Sequence, residues 1–466
     1  MTSSVIALTG FGGSVSGDLG DIDGDGFNDI AVAAPSSDIG VTDGGALFIF
    51  FMNANDTVRE HTVLVPGTGG AFEGASSSEV LKIAWATVAL WPRSPGNPVD
   101  IAVRSAGDEG GVLLFRLASN GTVIPGSIES IGNGLGGMPS GSIAAGSGFG
   151  QAGKCGDLDG DGVEDLLVGA QTDGTGGTDS GAVYILYLTS GGSADPVRNF
   201  TKLTVLSPGL SGVVQPSTRM HVPAAIGDLD GDGVTDIIIG ADRDSSTGED
   251  RGSAIIMFMG GAVPSPSPSP IPSHAVPFGG IISASAIRNG EGGLDTGTLE
   301  ELDRFGRSVA SLGDLDSDGI TDLAIGAMFD DTAGTNKGTI YVCFMQADGS
   351  IDRYHLITAN YGGFNASLSR EFGAAMASHP EGQPHSDGPN LPRLYASERA
   401  YRSNTGAVHV MRMNSTGHVH SQTLLADGLG GIPIGTLAIG DRFGYEIGSL
   451  GDMNGDDCLD IAVTAD

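Results

Sequence analysis

The sequence predicts an all-β, seven-bladed β-propeller whose last blade is incomplete. Three observations predict it. An acidic motif recurs in fixed phase, a glycine-led apolar run follows most copies, and no useful stretch shows helical apolar periodicity. Four segments are nearly one sentence: GDIDGDGFNDIAVAA from Gly20, GDLDGDGVEDLLVGA from Gly156, GDLDGDGVTDIIIGA from Gly227 and GDLDSDGITDLAIGA from Gly313. GDMNGDDCLDIAVTA from Gly451 is a close variant. The last Asp of each serves as an anchor: Asp29, Asp165, Asp236, Asp322 and Asp460. Two wide gaps each hide a degenerate copy, with Asp100 in NPVDIAVRSAG and Arg393 in LPRLYASERA at the anchor position. The seven anchors then lie about 65 to 71 residues apart, with one longer step. That step holds the proline-rich stretch Val263 to Ser273, which cannot be sheet interior.

Each unit yields about four strands. The first follows a Phe-Gly pair, at Phe149-Gly150, Phe305-Gly306, Phe372-Gly373 and Phe443-Gly444. In the fourth unit Arg219-Met220 is read as standing where the others have Phe-Gly. The second strand is the apolar end of the acidic motif. The third is the glycine-led run: GALFIFFM from Gly45, GVLLFRL from Gly111, GAVYILYL from Gly181, GSAIIMFM from Gly252, GTIYVCFM from Gly338 and GAVHVMRM from Gly406. Turns such as Asn120-Gly121 and Ala347-Asp348-Gly349 lead by a hairpin into a fourth strand. One such sheet cannot bury both faces alone, whereas sheets stacked around an axis bury them between neighbours. A linear β-solenoid is the rival, but its repeats are much shorter. The chain is expected to be one domain, 1–466. Its blades run roughly 11–70, 71–145, 146–215, 216–300, 301–368, 369–438 and 439–466, the last partial. The final unit stops before its third strand, as a fragment of a longer protein would, and an open sheet edge is expected there.

Calcium takes six to eight hard oxygen ligands in a flexible shell. In each loop, positions 1, 3, 5 and 9 offer side-chain oxygens, position 7 offers a carbonyl, and glycine at position 6 permits the bend. The expected ligands are Asp21, Asp23, Asp25, Phe27 and Asp29; Asp157, Asp159, Asp161, Val163 and Asp165; and Asp228, Asp230, Asp232, Val234 and Asp236. They continue with Asp314, Asp316, Asp318, Ile320 and Asp322, and with Asp452, Asn454, Asp456, Cys458 and Asp460. The fifth loop carries Asp457 in place of glycine and an amide at Asn454, so it is expected to be the weakest. An EF-hand is excluded because position 12 falls inside an apolar strand rather than on a Glu between helices. Carboxylates crowded this closely repel unless a cation lies among them.

The pattern FG…GD-x-D-x-D-G-x-x-D with its following glycine-led strand resembles the FG-GAP repeat of integrin α-subunits. The resemblance runs over essentially the whole chain. It implies calcium loops bridging the first two strands of a blade, and a role in adhesion or recognition outside the cell. No partner-binding residue transfers with it.

Composition agrees. Lys and Arg number 22 against 56 Asp and Glu, a formal charge of −34, so nucleic acid and anionic membranes are excluded as partners. Cys155, Cys343 and Cys458 have no disulfide or metal spacing, and Cys343 reads as inert core. No apolar stretch is long enough to span a bilayer, and MTSSVIALTG lacks the form of a secretory signal. Sequons at Asn55, Asn120, Asn199, Asn365 and Asn414 mark candidate glycan sites. His379, His385, His418 and His420 read as surface residues. No catalytic signature is present, and repeated equivalent carboxylates do not make a differentiated acid–base pair. The expected function is a non-enzymatic, calcium-binding, extracellular or cell-surface recognition propeller that binds a protein partner. The alternatives are a carbohydrate-binding propeller, for which only Trp85 and Trp91 offer indole stacking, or the non-catalytic propeller of a larger secreted enzyme.

Overall fold

Glycine-led turns and β-branched or aromatic runs set up antiparallel meanders, and the chain folds as a succession of them. The structure is a computed structural model that describes residues 14–16, 19, 21–27, 29–34, 45–53, 58–65, 89–91, 100–105, 110–190, 195–210, 212–216, 218–260, 280–365, 370–379, 391–451 and 460–465. Blade one pairs Ser14–Ser16, Ile30–Ala34, Ala46–Met52 and Val58–Leu64 in that order. Blade two pairs Ala89–Trp91, Asp100–Ser105, Gly111–Arg116 and Glu129–Ile131. Blade three follows with Phe149–Lys154, Leu166–Ala170, Ala182–Leu188 and Val197–Leu203. Blade four has His221–Gly227, Asp236–Ala241, Ser253–Gly260 and Gly280–Ile287. Blade five has Phe305–Gly313, Asp322–Ala327, Thr339–Met345 and Ile351–Ile357. In blade six the strands are Phe372–His379, Arg393–Glu398, Val408–Met413 and Val419–Leu425. The seventh ladder pairs only Ile447–Gly451 with Asp460–Val463. Six complete blades and a partial seventh are what the described residues show. The proline-rich stretch at 263–273 and the segment 1–10 lie outside the described residues.

The first strands of blades two to seven neighbour one another in turn, and the last of them neighbours Ser14–Ser16. The ring closes at blade one, where Ile30, Phe50 and Met52 meet Ala462. Side-chain alternation along each strand serves the two neighbours separately. In blade three, Val168, Tyr184 and Leu186 pack against Ala102, Val112 and Leu114 of blade two. The intervening Leu167, Ile185 and Tyr187 pack against Ile237, Ile239 and Ile255 of blade four. The middle strands are therefore apolar on both faces, and each fully buried aliphatic contributes roughly 1.5–3 kcal/mol.

A backbone clamp locks neighbouring blades and explains the Phe-Gly pair. The N–H groups of Phe305, Phe372 and Phe443 donate to Arg251, Lys337 and Thr405 carbonyls of the preceding blade at 2.9, 3.0 and 2.9 Å. The glycine that starts each preceding third strand lies against the same phenylalanine. A Cβ on Gly338 (φ +83°) would sit 2.3 Å from the Phe372 carbonyl oxygen. In the fourth unit the clamp corrects the sequence reading. Met220, fully buried, holds the phenylalanine place, pairing with Gly181 and donating its N–H to Ser180 at 3.1 Å. Arg219 therefore matches Arg304, not phenylalanine; both have left-handed backbone, φ 53 and 57°. The clamp is made by main chain, so methionine serves as well.

Candidate metal centres

Each acidic loop joins the first two strands of its blade, and its first Asp shapes it. Asp157 accepts N–H bonds from Gly160 (2.7 Å) and Asp161 (3.1 Å) on one oxygen and from Gly162 (2.7 Å) on the other. Asp228 repeats this with Gly231, Asp232 and Gly233 at 2.8, 3.0 and 2.8 Å. Asp21 does so with Gly24, Asp25 and Gly26 at 2.7, 3.0 and 2.8 Å. Asp314 accepts from Asp318 and Gly319 at 2.9 and 2.8 Å. Glycine at position 6 has φ between +86 and +94° in all four loops, a backbone that side chains resist. At position 7, the N–H groups of Phe27, Val163, Val234 and Ile320 donate to the position-5 carboxylates Asp25, Asp161, Asp232 and Asp318.

The ninth-position Asp ties the loop to the sheet. Asp165 accepts from Leu158 N–H at 2.8 Å and from Leu188 N–H, at the end of the third strand, at 3.0 Å. Asp29, Asp236 and Asp322 make the same pair of bonds, to Ile22 and Met52, Leu229 and Met259, and Leu315 and Met345. All four are buried. Burial pushes the carboxyls of Asp29, Asp236 and Asp322 up to about 6 and that of Asp165 to about 7, against the pull of their N–H donors.

The loops gather their oxygens. One oxygen each from Asp21, Asp23 and Asp29 lies within 4.8 Å of the others, and so do those of Asp157, Asp159 and Asp165, of Asp228, Asp230 and Asp232, and of Asp314, Asp316 and Asp322. Two further facts test the fit to a cation. Oδ1 of Asp159 and Oδ1 of Asp316 are buried and accept no hydrogen bond, which is costly for a carboxylate oxygen unless a cation faces it. The donor set is all oxygen, the chemistry of a hard divalent ion. The fifth expected loop, Asp452, Asn454, Asp456 and Cys458, lies outside the described residues; Asp460 starts the last strand.

Three arginines at these loops escaped the sequence reading. Arg59 pairs with Asp23 and Asp25, Arg198 with Asp159 and Asp161, and Arg353 with Asp316. They come from fourth strands, some 35 to 40 residues beyond the loop, where no motif announces them. In blade two the anchor Asp100 instead faces Arg116 at 3.3 Å. Among the sequons, Asn120, Asn199 and Asn365 are exposed, while Asn55 lies outside the described residues. His418 is not a lone surface residue, since its ring packs on His355 at 4.5 Å. Cys343 is buried, and burial pushes its thiol up, out of reach of ionisation near neutrality.

The FG-GAP repeat family model matches residues 14–50, 149–186, 224–257 and 305–343, the blades with the four described loops. Integrin alpha-4 of Xenopus laevis is 30% identical over 198 residues, 42% of this chain and 16% of that protein. Integrin alpha-5 of Xenopus laevis is 48% identical over 54 residues, 12% of this chain and 5% of that protein. The chain thus aligns with less than a fifth of the length of these curated relatives. Among solved structures, the periplasmic gluconolactonase PpgL of Pseudomonas aeruginosa aligns at 12% identity and a TM-score of 0.44, over 95% of this chain and 86% of that one.

Proposed function

For this FG-GAP-repeat propeller of integrin-α type, we propose a calcium-stabilised, non-enzymatic recognition module acting outside the cell or at its surface, with a protein as its partner. The observation that carries the calcium reading is the set of four acidic cages with buried, unpartnered oxygens at Asp159 and Asp316. A divalent ion would be held by positions 1, 3, 5 and 9 of each loop. It would neutralise the carboxylates and bind only the folded loop, so it adds to stability by mass action. The residues themselves do the shaping: the first Asp wraps the loop, and the ninth joins it to the second and third strands. Recognition and cell-surface location are supported by the likeness to integrin α subunits, and the strongly acidic composition favours a partner surface with basic groups. Calorimetric titration of the chelator-stripped chain with Ca2+, followed by thermal melting, tests the calcium reading. Saturable binding with a raised melting temperature is expected; no heat of binding and an unchanged melt would refute it.

A further inference from the structure

The four described loops are not equivalent. In blades one, three and five a fourth-strand arginine covers the carboxylates: Arg59 on Asp23 and Asp25, Arg198 on Asp159 and on Asp161 (2.8 Å), and Arg353 on Asp316 (2.5 Å). Each guanidinium is reachable from solvent, with side chains 38, 44 and 46% exposed. Blade four differs. Its fourth strand carries Ile282 at the bulge between the Met259–Ile281 and Phe258–Ser283 pairs. Arg59 and Arg198 fill the same bulge in blades one and three. Ile282 and Asp232 stand together beside Gly260. Among the described residues no cation pairs with Asp228, Asp230 or Asp232.

The carboxylates respond. In blades one and three the gathered oxygens belong to positions 1, 3 and 9, while the position-5 carboxylate leans to the arginine. In blade four positions 1, 3 and 5 gather instead.

Resting on the calcium reading above, we propose that Arg59, Arg198 and Arg353 are built-in counter-cations that a divalent ion has to displace, so that the four loops bind in a fixed rank with blade four tightest. An entering ion must break guanidinium–carboxylate pairs in three blades and none in the fourth. Partly exposed pairs of this kind weaken a competing cation by about two- to fivefold. The same arginines hold their loops together when the ion leaves. Blade four therefore gains most from calcium, keeps its ion longest as Ca2+ falls, and is the least ordered loop once the ion has gone.

Hydrogen–deuterium exchange of the whole chain across a Ca2+ titration reads each loop separately. Residues 228–236 are expected to become protected at about two- to fivefold lower Ca2+ than 157–165 or 314–322. Ile282→Arg should shift the blade-four midpoint upward by that factor, and Arg198→Ala should shift the blade-three midpoint downward while speeding exchange there in chelator. Far-ultraviolet circular dichroism in saturating Ca2+ confirms that each variant folds; Arg198→Gln replaces Arg198→Ala if it does not. One common midpoint, unmoved by either substitution, overturns the rank order alone. No protection in any loop at any Ca2+ concentration overturns the calcium reading and the rank order with it.

Discussion

Blades five and six stand side by side with the same four-stranded ladder, yet they solve one buried position in opposite ways. In blade five, Asp322 takes the N–H of Met345 at 3.0 Å and anchors an acidic loop. In blade six Arg393 stands there, and the matching N–H, of Met413, goes to the Pro392 carbonyl at 2.8 Å. Farther along, Tyr341 hydrogen-bonds Asp330 at 2.8 Å, while in blade six a buried His409 meets Glu398 at 3.0 Å. The backbone clamp is kept in both blades, at Gly338 with Phe372 and at Gly406 with Phe443. A blade therefore needs the clamp and satisfied strand ends, not the acidic loop. Four carboxylates kept in one loop, where a neighbour folds without them, are there for something other than the ladder.

This contrast can be broken or sharpened by experiment. Chelation should have the largest effect, about 2–3 kcal/mol for each loop that an ion had occupied well above its dissociation constant. Exchange protection should fall at 314–322 and hold along Arg393–Glu398; equal loss in both blades would erase the distinction. Next come the shared clamps. Gly338→Ala and Gly406→Ala each force a Cβ within 2.3 Å of backbone at positive φ, and should cost on the order of 3 kcal/mol in urea melts. The two costs should match within about 1 kcal/mol, because both blades depend on the same contact. Asp322→Ala, measured in chelator, leaves two buried N–H groups without acceptors and should cost about 2 kcal/mol.

A pH slope tests the same contrast. Burial, with the charges of Asp330, Glu300 and Asp331, pushes the Asp303 carboxyl from 3.8 up to about 7. Its pKa is higher folded than unfolded, so its contribution is fully present below about pH 4 and is lost as the pH rises through 7. Asp303→Asn should therefore gain on the wild type between pH 5 and 8 in urea midpoints. Arg370, at the matching place in blade six, is exposed, and Arg370→Gln should leave the slope unchanged.

The strands were legible because each is bounded by a glycine the geometry requires and filled by residues that both neighbouring blades bury. Asp21, Asp157, Asp228 and Asp314 were legible as a group because a loop wrapped on its first Asp fixes its own spacing. Arg59, Arg198 and Arg353 were not, since the pairing of third and fourth strands, not chain proximity, brings them over the loop. The role of Met220 was hidden for a related reason. A contact made through main chain leaves little trace in side-chain identity.

The hairpin between Ser253–Gly260 and Gly280–Ile287 carries a longer connection than its counterparts, yet its ladder keeps the bulge at Phe258/Met259, matching Tyr187/Leu188 and Phe344/Met345. Length at that tip is thus decoupled from the register of the ring. Such a connection is a place where foreign sequence can be spliced in, whether by evolution or by an engineer adding an epitope or a label, while the ladder on either side of it goes on pairing as before.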